Sequence, residues 1–138
     1  KSSVVAVREV PWENVSRYGV VSVDPVKGKE RLFRVNDLVE KPSQESAPSN
    51  LAVIGRYVLT PLIFDALRRT EPGVGGEIQL TDGLRHLLED EPLYAYKFEG
   101  THYDVGNKLD RLIATVEFAL QRKDLQEKFR EYLKSLKL

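Results

Sequence analysis

The sequence predicts an α/β protein, because strand-like and helix-like patterns are mixed along the chain of 138 residues. Short Val-rich runs bounded by Gly, Pro and Asn are typical of strands. Longer segments carry Leu and Ile at intervals of three and four residues, which is the spacing of one helix face. Since neither pattern is confined to one part of the chain, we assign a mixed architecture of strands and helices.

Five segments have the strand pattern. They are residues 3–10, 18–23, 31–39, 51–59 and 94–98. The third ends where Pro42 pushes Lys41 away from helical geometry. The polar loop that follows, residues 43–50, is rich in breakers but too short to separate two domains.

Four segments have the helix pattern. They begin near Thr60, Thr81, Asn107 and Leu125. We expect the Thr60 hydroxyl to cap the first of them, with Pro61 at the first helical position. Asp124 and Glu127 are placed for a capping box before the last. The two terminal helices carry apolar faces that pack either on the chain's own sheet or on another subunit.

Composition excludes several classes of function. Basic and acidic residues both number 21, so the net charge is zero, which argues against a nucleic-acid partner. The absence of cysteine excludes disulfides and zinc–thiolate sites, and two histidines cannot form a multi-histidine metal cage. There is neither a signal peptide nor an apolar run of about 18 residues, so we expect a cytoplasmic protein with no membrane partner.

The sequence contains no methionine and opens directly on an alternating apolar run at Val4–Val7. We therefore expect a piece of a longer polypeptide; the alternative is a processed or tag-cleaved N-terminus. In a free piece, this strand would lack some of its sheet neighbours, and exposed strand edges recruit other chains.

Glu40-Lys41-Pro42 is the first candidate for chemistry. Neighbours on a strand point to opposite faces, but a bend at the proline can turn both charged side chains towards one cleft. An ammonium suits a phosphate, and a carboxylate can accept hydrogen bonds from sugar hydroxyls. The alternative is two solvated residues before a turn.

The second candidate is the glycine-rich tract at residues 73–82, just before a predicted helix. It suggests a loop whose backbone approaches a ligand closely, or simply a mobile turn. It lacks the Lys-Ser or Lys-Thr pair of a P-loop and the spacing of a dinucleotide fingerprint.

Asp104, at a strand-to-helix junction, is the third candidate. Its carboxylate could bind Mg²⁺, which typically takes one or two carboxylates together with phosphate oxygens and water. The alternative is an Asx-turn or a cap for the helix that follows.

In order along the chain, five motifs resemble those of the bacterial UTP–glucose-1-phosphate uridylyltransferases, or UDP-glucose pyrophosphorylases. They are SRYGVV at 16–21, VEKP at 39–42, APSNLAVIGRYVL at 47–59, GEIQLTD at 76–82 and YDVGNK at 103–108. Each is weak alone, but the set covers nearly the whole chain, from Val4 to Leu133. YGVV and EKP are shared by the wider class of sugar-1-phosphate nucleotidyltransferases.

The resemblance implies the C-terminal part of a Rossmann-like α/β nucleotidyltransferase fold with a mixed sheet, ending in two amphipathic helices. Residues 1–138 would be its sugar-phosphate-binding half. The reaction would join glucose 1-phosphate and UTP, with Mg²⁺, to give UDP-glucose and pyrophosphate. The family's N-terminal loop, of the form L-A-A-G-x-G-T-R, and its other metal-binding aspartate are absent from this sequence.

The resemblance also implies roles for individual residues. Lys41 would contact the phosphate of glucose 1-phosphate as the catalytic cation, and Glu40 would contact the sugar hydroxyls. The Gly19 backbone would lie against the sugar, and Asp104 would be one of two aspartate ligands to Mg²⁺. For Glu77 and Gln79, we expect only a position near the pocket.

Two other interpretations stay open. The chain could belong to a nucleotidyltransferase that uses dTTP or another sugar phosphate, because the residues that read the base would lie outside it. It could also be a non-catalytic module that binds a sugar phosphate or mediates oligomerisation. We expect a homo-oligomer and no enzymatic activity from the isolated chain.

Overall fold

The computed structural model describes residues 2–137, and the chain divides between Glu99 and Gly100 into two compact units. Within the described residues, the first unit contains strands β1 (Ser3–Glu9), β2 (Gly19–Val26), β3 (Lys29–Glu40), β4 (Leu51–Val58) and β5 (Leu93–Lys97), with helices α1 (Leu62–Arg69) and α2 (Leu80–Leu87). The second contains α3 (Lys108–Gln121) and α4 (Gln126–Ser135). The predicted α/β class is confirmed.

The sheet is mixed and closes on itself in the order β1-β4-β2-β3-β5. Strand β1 pairs antiparallel with β4 on one side and parallel with β5 on the other. Val4, for example, lies opposite both Val58 and Tyr94. The expectation that β1 lacks sheet neighbours is therefore wrong, because β5 returns from far along the chain to cover that edge.

The core of the first unit lies between the sheet and the two helices. Val5 and Val7 are fully buried and share one hydrophobic cluster with Leu38, Ile63 and Leu84. Their alternation along β1 puts every second side chain on the inner face, where burial of apolar surface stabilises the fold. This packing holds α1 and α2 against the sheet.

Helix α1 does not begin as expected. Pro61 occupies the N-cap position without a side-chain hydrogen bond. The Thr60 hydroxyl donates instead to Glu91 Oε1 at 2.9 Å, and the Ser3 hydroxyl donates to the same oxygen at 2.6 Å. The predicted Thr60 cap is wrong because this carboxylate competes for the hydroxyl.

In the second unit, Asn107 caps α3. Its Oδ1 accepts hydrogen bonds from the backbone N–H groups of Leu109 and Asp110, at 2.8 and 3.3 Å. The predicted capping box before α4 is wrong: Leu125 is the N-cap and makes no side-chain cap bond, while Asp124 pairs with Arg122. No described helix has the length and apolar character needed to cross a membrane.

Candidate functional site

The start of β2 and the end of β3 bring three of the predicted site residues together. Gly19 lies directly opposite Glu40 in the antiparallel register, and the Lys41 N–H donates to the Tyr18 carbonyl at 3.0 Å. The β2–β3 pairing therefore extends to the point where Pro42 follows. Gly19, Glu40 and Lys41, which are separated by about 20 positions in sequence, are neighbours in the fold.

Lys41 has a left-handed backbone, with φ at 45°. In the part of the chain that the structure describes, it is the one residue other than glycine with a positive φ. This conformation costs an L-residue about 1–2 kcal/mol, so the surrounding structure must hold it. Such strain is concentrated at functional sites in proteins. It is therefore evidence for a functional role of Lys41 that is independent of the sequence motif.

The two charged side chains lie on one side of the chain. Lys41 Nζ is 3.8 Å from Glu40 Oε1, although neighbours in a regular strand point to opposite faces. The lysine side chain is 48% exposed and the glutamate side chain is 13% exposed. The site therefore offers an accessible cation beside a largely buried carboxylate.

The other carboxylate oxygen of Glu40 binds Thr81, the second residue of α2. The Thr81 hydroxyl donates to Glu40 Oε2 at 2.5 Å, and Thr81 is buried. From the sequence, Thr81 was expected only to start a helix. It lies within the GEIQLTD motif, but its partner is 41 positions away and only the fold brings the two together.

Tyr57, on β4, lies in the electrostatic field of this carboxylate. Burial raises the pKa of the Tyr57 phenol, and the negative charge of Glu40 raises it further. The phenol is therefore a neutral hydroxyl at physiological pH, able to donate a hydrogen bond. Tyr57 lies within the motif at 47–59, but the sequence indicated no role for it.

The glycine tract forms a compact loop before α2. Gly75 and Gly76 have φ values of 79° and 75°, which glycine adopts without steric cost. The Gly73 N–H donates to the Glu77 carbonyl at 2.9 Å, so the loop closes on its own backbone. Glu77 is exposed and Gln79 is the N-cap residue of α2. Their position near a substrate pocket stays a prediction.

Asp104 lies in the second unit, where it makes an Asx-turn. Its Oδ1 accepts the Gly106 N–H at 3.1 Å, while Asn107 supplies the helix cap. Among the described residues, no group of three His, Cys, Asp or Glu side chains could hold a metal ion. One aspartate nevertheless fits Mg²⁺ as a single ligand, because that ion completes its shell with phosphate oxygens and water.

The chain is similar to known proteins in sequence and in fold. The family model for nucleotidyl transferases matches residues 1–122. "UTP–glucose-1-phosphate uridylyltransferase 2" of Staphylococcus saprophyticus is 48% identical over 136 residues, which is 99% of this chain and 46% of the relative. The chain spans about half the length of the curated relatives that it matches.

Two solved structures resemble the fold. One is a UDP-glucose pyrophosphorylase complexed with UDP-glucose, with a TM-score of 0.82 and 45% identity, over 88% of this chain and 45% of that one. The other is a UTP-bound UGPase from Acinetobacter baumannii, with a TM-score of 0.84 and 34% identity, over 99% of this chain and 46% of that one. The resemblance inferred from the five motifs is confirmed, and the chain belongs to the nucleotidyl transferase family.

Proposed function

We propose that this chain supplies the sugar-phosphate subsite of a UTP–glucose-1-phosphate uridylyltransferase. The observation that carries the proposal is the Glu40–Lys41 pair, in which a strained backbone places an accessible ammonium beside a largely buried carboxylate. A compact cation is suited to a phosphate, and a carboxylate accepts hydrogen bonds from sugar hydroxyls. Curated relatives that are 48% and 46% identical carry this enzyme's name.

The proposed reaction is an in-line displacement. A phosphate oxygen of glucose 1-phosphate forms a bond to the α-phosphorus of UTP, and the bond from that phosphorus to the bridging oxygen of the β-phosphate breaks. Pyrophosphate leaves, and no covalent enzyme intermediate is needed. Catalysis is then mostly positioning and charge neutralisation, for which Lys41 holds the attacking phosphate and Glu40 orients the sugar.

The proposal includes a Mg²⁺ ligand in the second unit. Asp104 would contribute one carboxylate, and the rest of the protein would contribute a second. When bound, the ion supplies neutralisation of charge on the phosphate oxygens of the nucleotide. The Asx-turn with Gly106 restricts the Asp104 side chain. A restricted carboxylate is better suited to bind a metal ion than one that samples many rotamers.

The proposal extends to the domain, the oligomeric state and the cellular location of the whole protein. Residues 1–138 form the sugar-phosphate half of a nucleotidyltransferase domain. The full-length protein is a homo-oligomer, which is supported by exposed apolar side chains on the two terminal helices, Leu109 and Leu112 among them. The cytoplasmic location expected from the sequence stays a prediction.

The test is a substrate panel on the full-length protein that carries this chain. Pyrophosphate release is measured with UTP or dTTP, each paired with glucose 1-phosphate, galactose 1-phosphate or N-acetylglucosamine 1-phosphate. We expect the highest kcat/KM for UTP with glucose 1-phosphate. Preference for dTTP or for another sugar would favour a different nucleotidyltransferase, and release with no pair would favour a binding or oligomerisation module.

The same assay tests the metal ligand. Asp104→Asn keeps an oxygen for the turn with Gly106 but removes the negative charge, so we expect a higher Mg²⁺ concentration for half-maximal turnover. Asp124→Asn is the matched control, because Asp124 lies in the same unit and makes an exposed ion pair with Arg122. An unchanged Mg²⁺ dependence in Asp104→Asn would remove Asp104 from the site.

A further inference from the structure

The two oxygens of Glu40 have different partners. Oε1 faces the Lys41 ammonium at 3.8 Å, and Oε2 accepts the Thr81 hydroxyl at 2.5 Å. A glutamate side chain has three rotatable bonds, and on a surface it samples many rotamers. Here, one short hydrogen bond from a neighbouring helix fixes the end of the side chain.

Gly19 lies beneath this hydrogen bond. A methyl group placed on Gly19 would lie 2.7 Å from Thr81 Oγ1 and 3.1 Å from Glu40 Oε2. Both distances are shorter than ordinary van der Waals contacts. Gly19 is also buried, and its φ is not positive, so backbone conformation does not explain the glycine. What requires the absent side chain is the space taken by Thr81 and Glu40.

We propose that Thr81 is a positioning residue for sugar binding, and that Gly19 is a glycine because it must leave room for the Thr81 hydroxyl. The observed partner of the Thr81 hydroxyl is the Glu40 carboxylate. The hydroxyl holds the Glu40 carboxylate in the orientation that binds the sugar. The inference rests on the proposed function and deepens it. It assigns the orientation of the sugar-binding carboxylate to a residue in the first turn of α2.

The chemistry of threonine suits this role. A hydroxyl has one hydrogen to donate, and at 2.5 Å from an ionised carboxylate that hydrogen is committed to Glu40. The β-branched side chain has few χ1 rotamers, so the donor is held rather than mobile. Burial keeps water from replacing it.

The first experiment compares Thr81→Val with Thr81→Ser in the full-length protein. Valine keeps the shape and removes the donor, so the KM for glucose 1-phosphate should rise about tenfold while the KM for UTP stays within about twofold. Serine keeps the donor and should restore most of the loss. If the two KM values rise together, or if serine behaves like valine, Thr81 is a packing residue and the inference is wrong.

A second experiment asks what Gly19 accommodates. Gly19→Ala is made in the wild-type protein and again in Thr81→Ala. In the second background the hydroxyl and methyl that a Cβ would meet are gone, and Glu40 Oε2, 3.1 Å from that Cβ, is no longer held by the hydroxyl. We expect Gly19→Ala to raise the KM for glucose 1-phosphate several-fold in the first background and to have little further effect in the second. Equal effects in both backgrounds would mean that Thr81 is not what requires a glycine at position 19, and would overturn the inference.

These tests separate failure of the inference from failure of the proposed function. If the wild-type protein turns over none of the substrate pairs, the proposed function fails. The Thr81–Glu40 contact can then be measured through urea unfolding of Thr81→Val, Glu40→Leu and the double variant, because leucine has no acceptor for the hydroxyl. Additive effects on the free energy of unfolding would show that the two side chains are not coupled, and would overturn the inference without any assay of activity.

Discussion

At the scale of single residues, Lys41 combines a charge with a backbone that lysine does not favour. In the full-length protein, Lys41→Ala should lower kcat/KM for glucose 1-phosphate by about 10²–10³-fold, because a preorganised charge at a reacting phosphate is lost. Lys41→Arg should recover only part of the lost kcat/KM, because the planar guanidinium of arginine cannot place its charge where the lysine ammonium lies. Steady-state kinetics that match wild type for Lys41→Ala would mean that the lysine is merely solvated.

The left-handed backbone provides a control that is independent of activity. Lys41→Gly and Lys41→Ala both remove the ammonium, but only glycine adopts a φ of 45° without strain. We therefore expect the glycine variant to be more stable than the alanine variant by about 1 kcal/mol in urea unfolding, with the two equally impaired in turnover. Equal stability would show that the backbone relaxes when the side chain is removed.

The residues also show what a sequence can reveal about a site. Glu40 and Lys41 could be found because two opposite charges before a proline are unusual at a strand end. Thr81 could not, because a threonine near a helix start has an ordinary explanation as a cap, and its partner lies 41 positions away. Asp104 and Asn107 are both good caps, so only the observed hydrogen bonds assign the cap to Asn107.

At the scale of elements, α3 depends on that cap. Asn107→Ala should remove the acceptor for the Leu109 and Asp110 N–H groups and destabilise the first turn by about 1 kcal/mol. Amide hydrogen exchange should then accelerate about fivefold at these two positions. Asn107→Asp keeps the acceptor and is the control. If Asp104→Ala has this effect and Asn107→Ala does not, the cap is Asp104 after all.

Element types were more predictable than their ends. The strand predicted at 94–98 is observed at Leu93–Lys97, and the one predicted at 51–59 at Leu51–Val58. Strand β2 runs on to Val26, past the end predicted at residue 23, because Pro25 and Val26 still pair with β3. The turn itself is confined to Lys27 and Gly28. Composition marks the breakers, but only the pairing register decides which of them lie inside a strand.

At the scale of the whole molecule, the sheet holds the largest difference between prediction and structure. The parallel pairing of Ser3–Val7 with Leu93–Lys97 joins segments that are 90 positions apart, and no local pattern encodes it. It removes the free edge that the sequence suggested for β1. Any tendency of the chain to associate must therefore come from its exposed apolar side chains, such as Phe64 on α1 and Phe118 on α3.

The proposed enzyme divides substrate binding between this chain and the rest of the protein. In the proposal, Glu40 and Lys41 bind the sugar phosphate and Asp104 contributes one metal ligand. The sequence of the chain has no glycine-rich loop followed by Thr-Arg to grip a triphosphate. We therefore expect the pure 138-residue chain to release no pyrophosphate from UTP and glucose 1-phosphate, whatever the Mg²⁺ concentration.

Activity should return when the missing functions are supplied. The Bacillus subtilis relative is 46% identical to this chain over 135 residues. Its N-terminal half, mixed with the chain or fused to it, should restore UDP-glucose synthesis. A Lys41→Ala chain is the control and should restore little, because the added half brings the nucleotide site but not the phosphate-binding cation. UTP- and Mg²⁺-dependent pyrophosphate release from the chain alone would contradict the division, since it would require a complete triphosphate site within these residues.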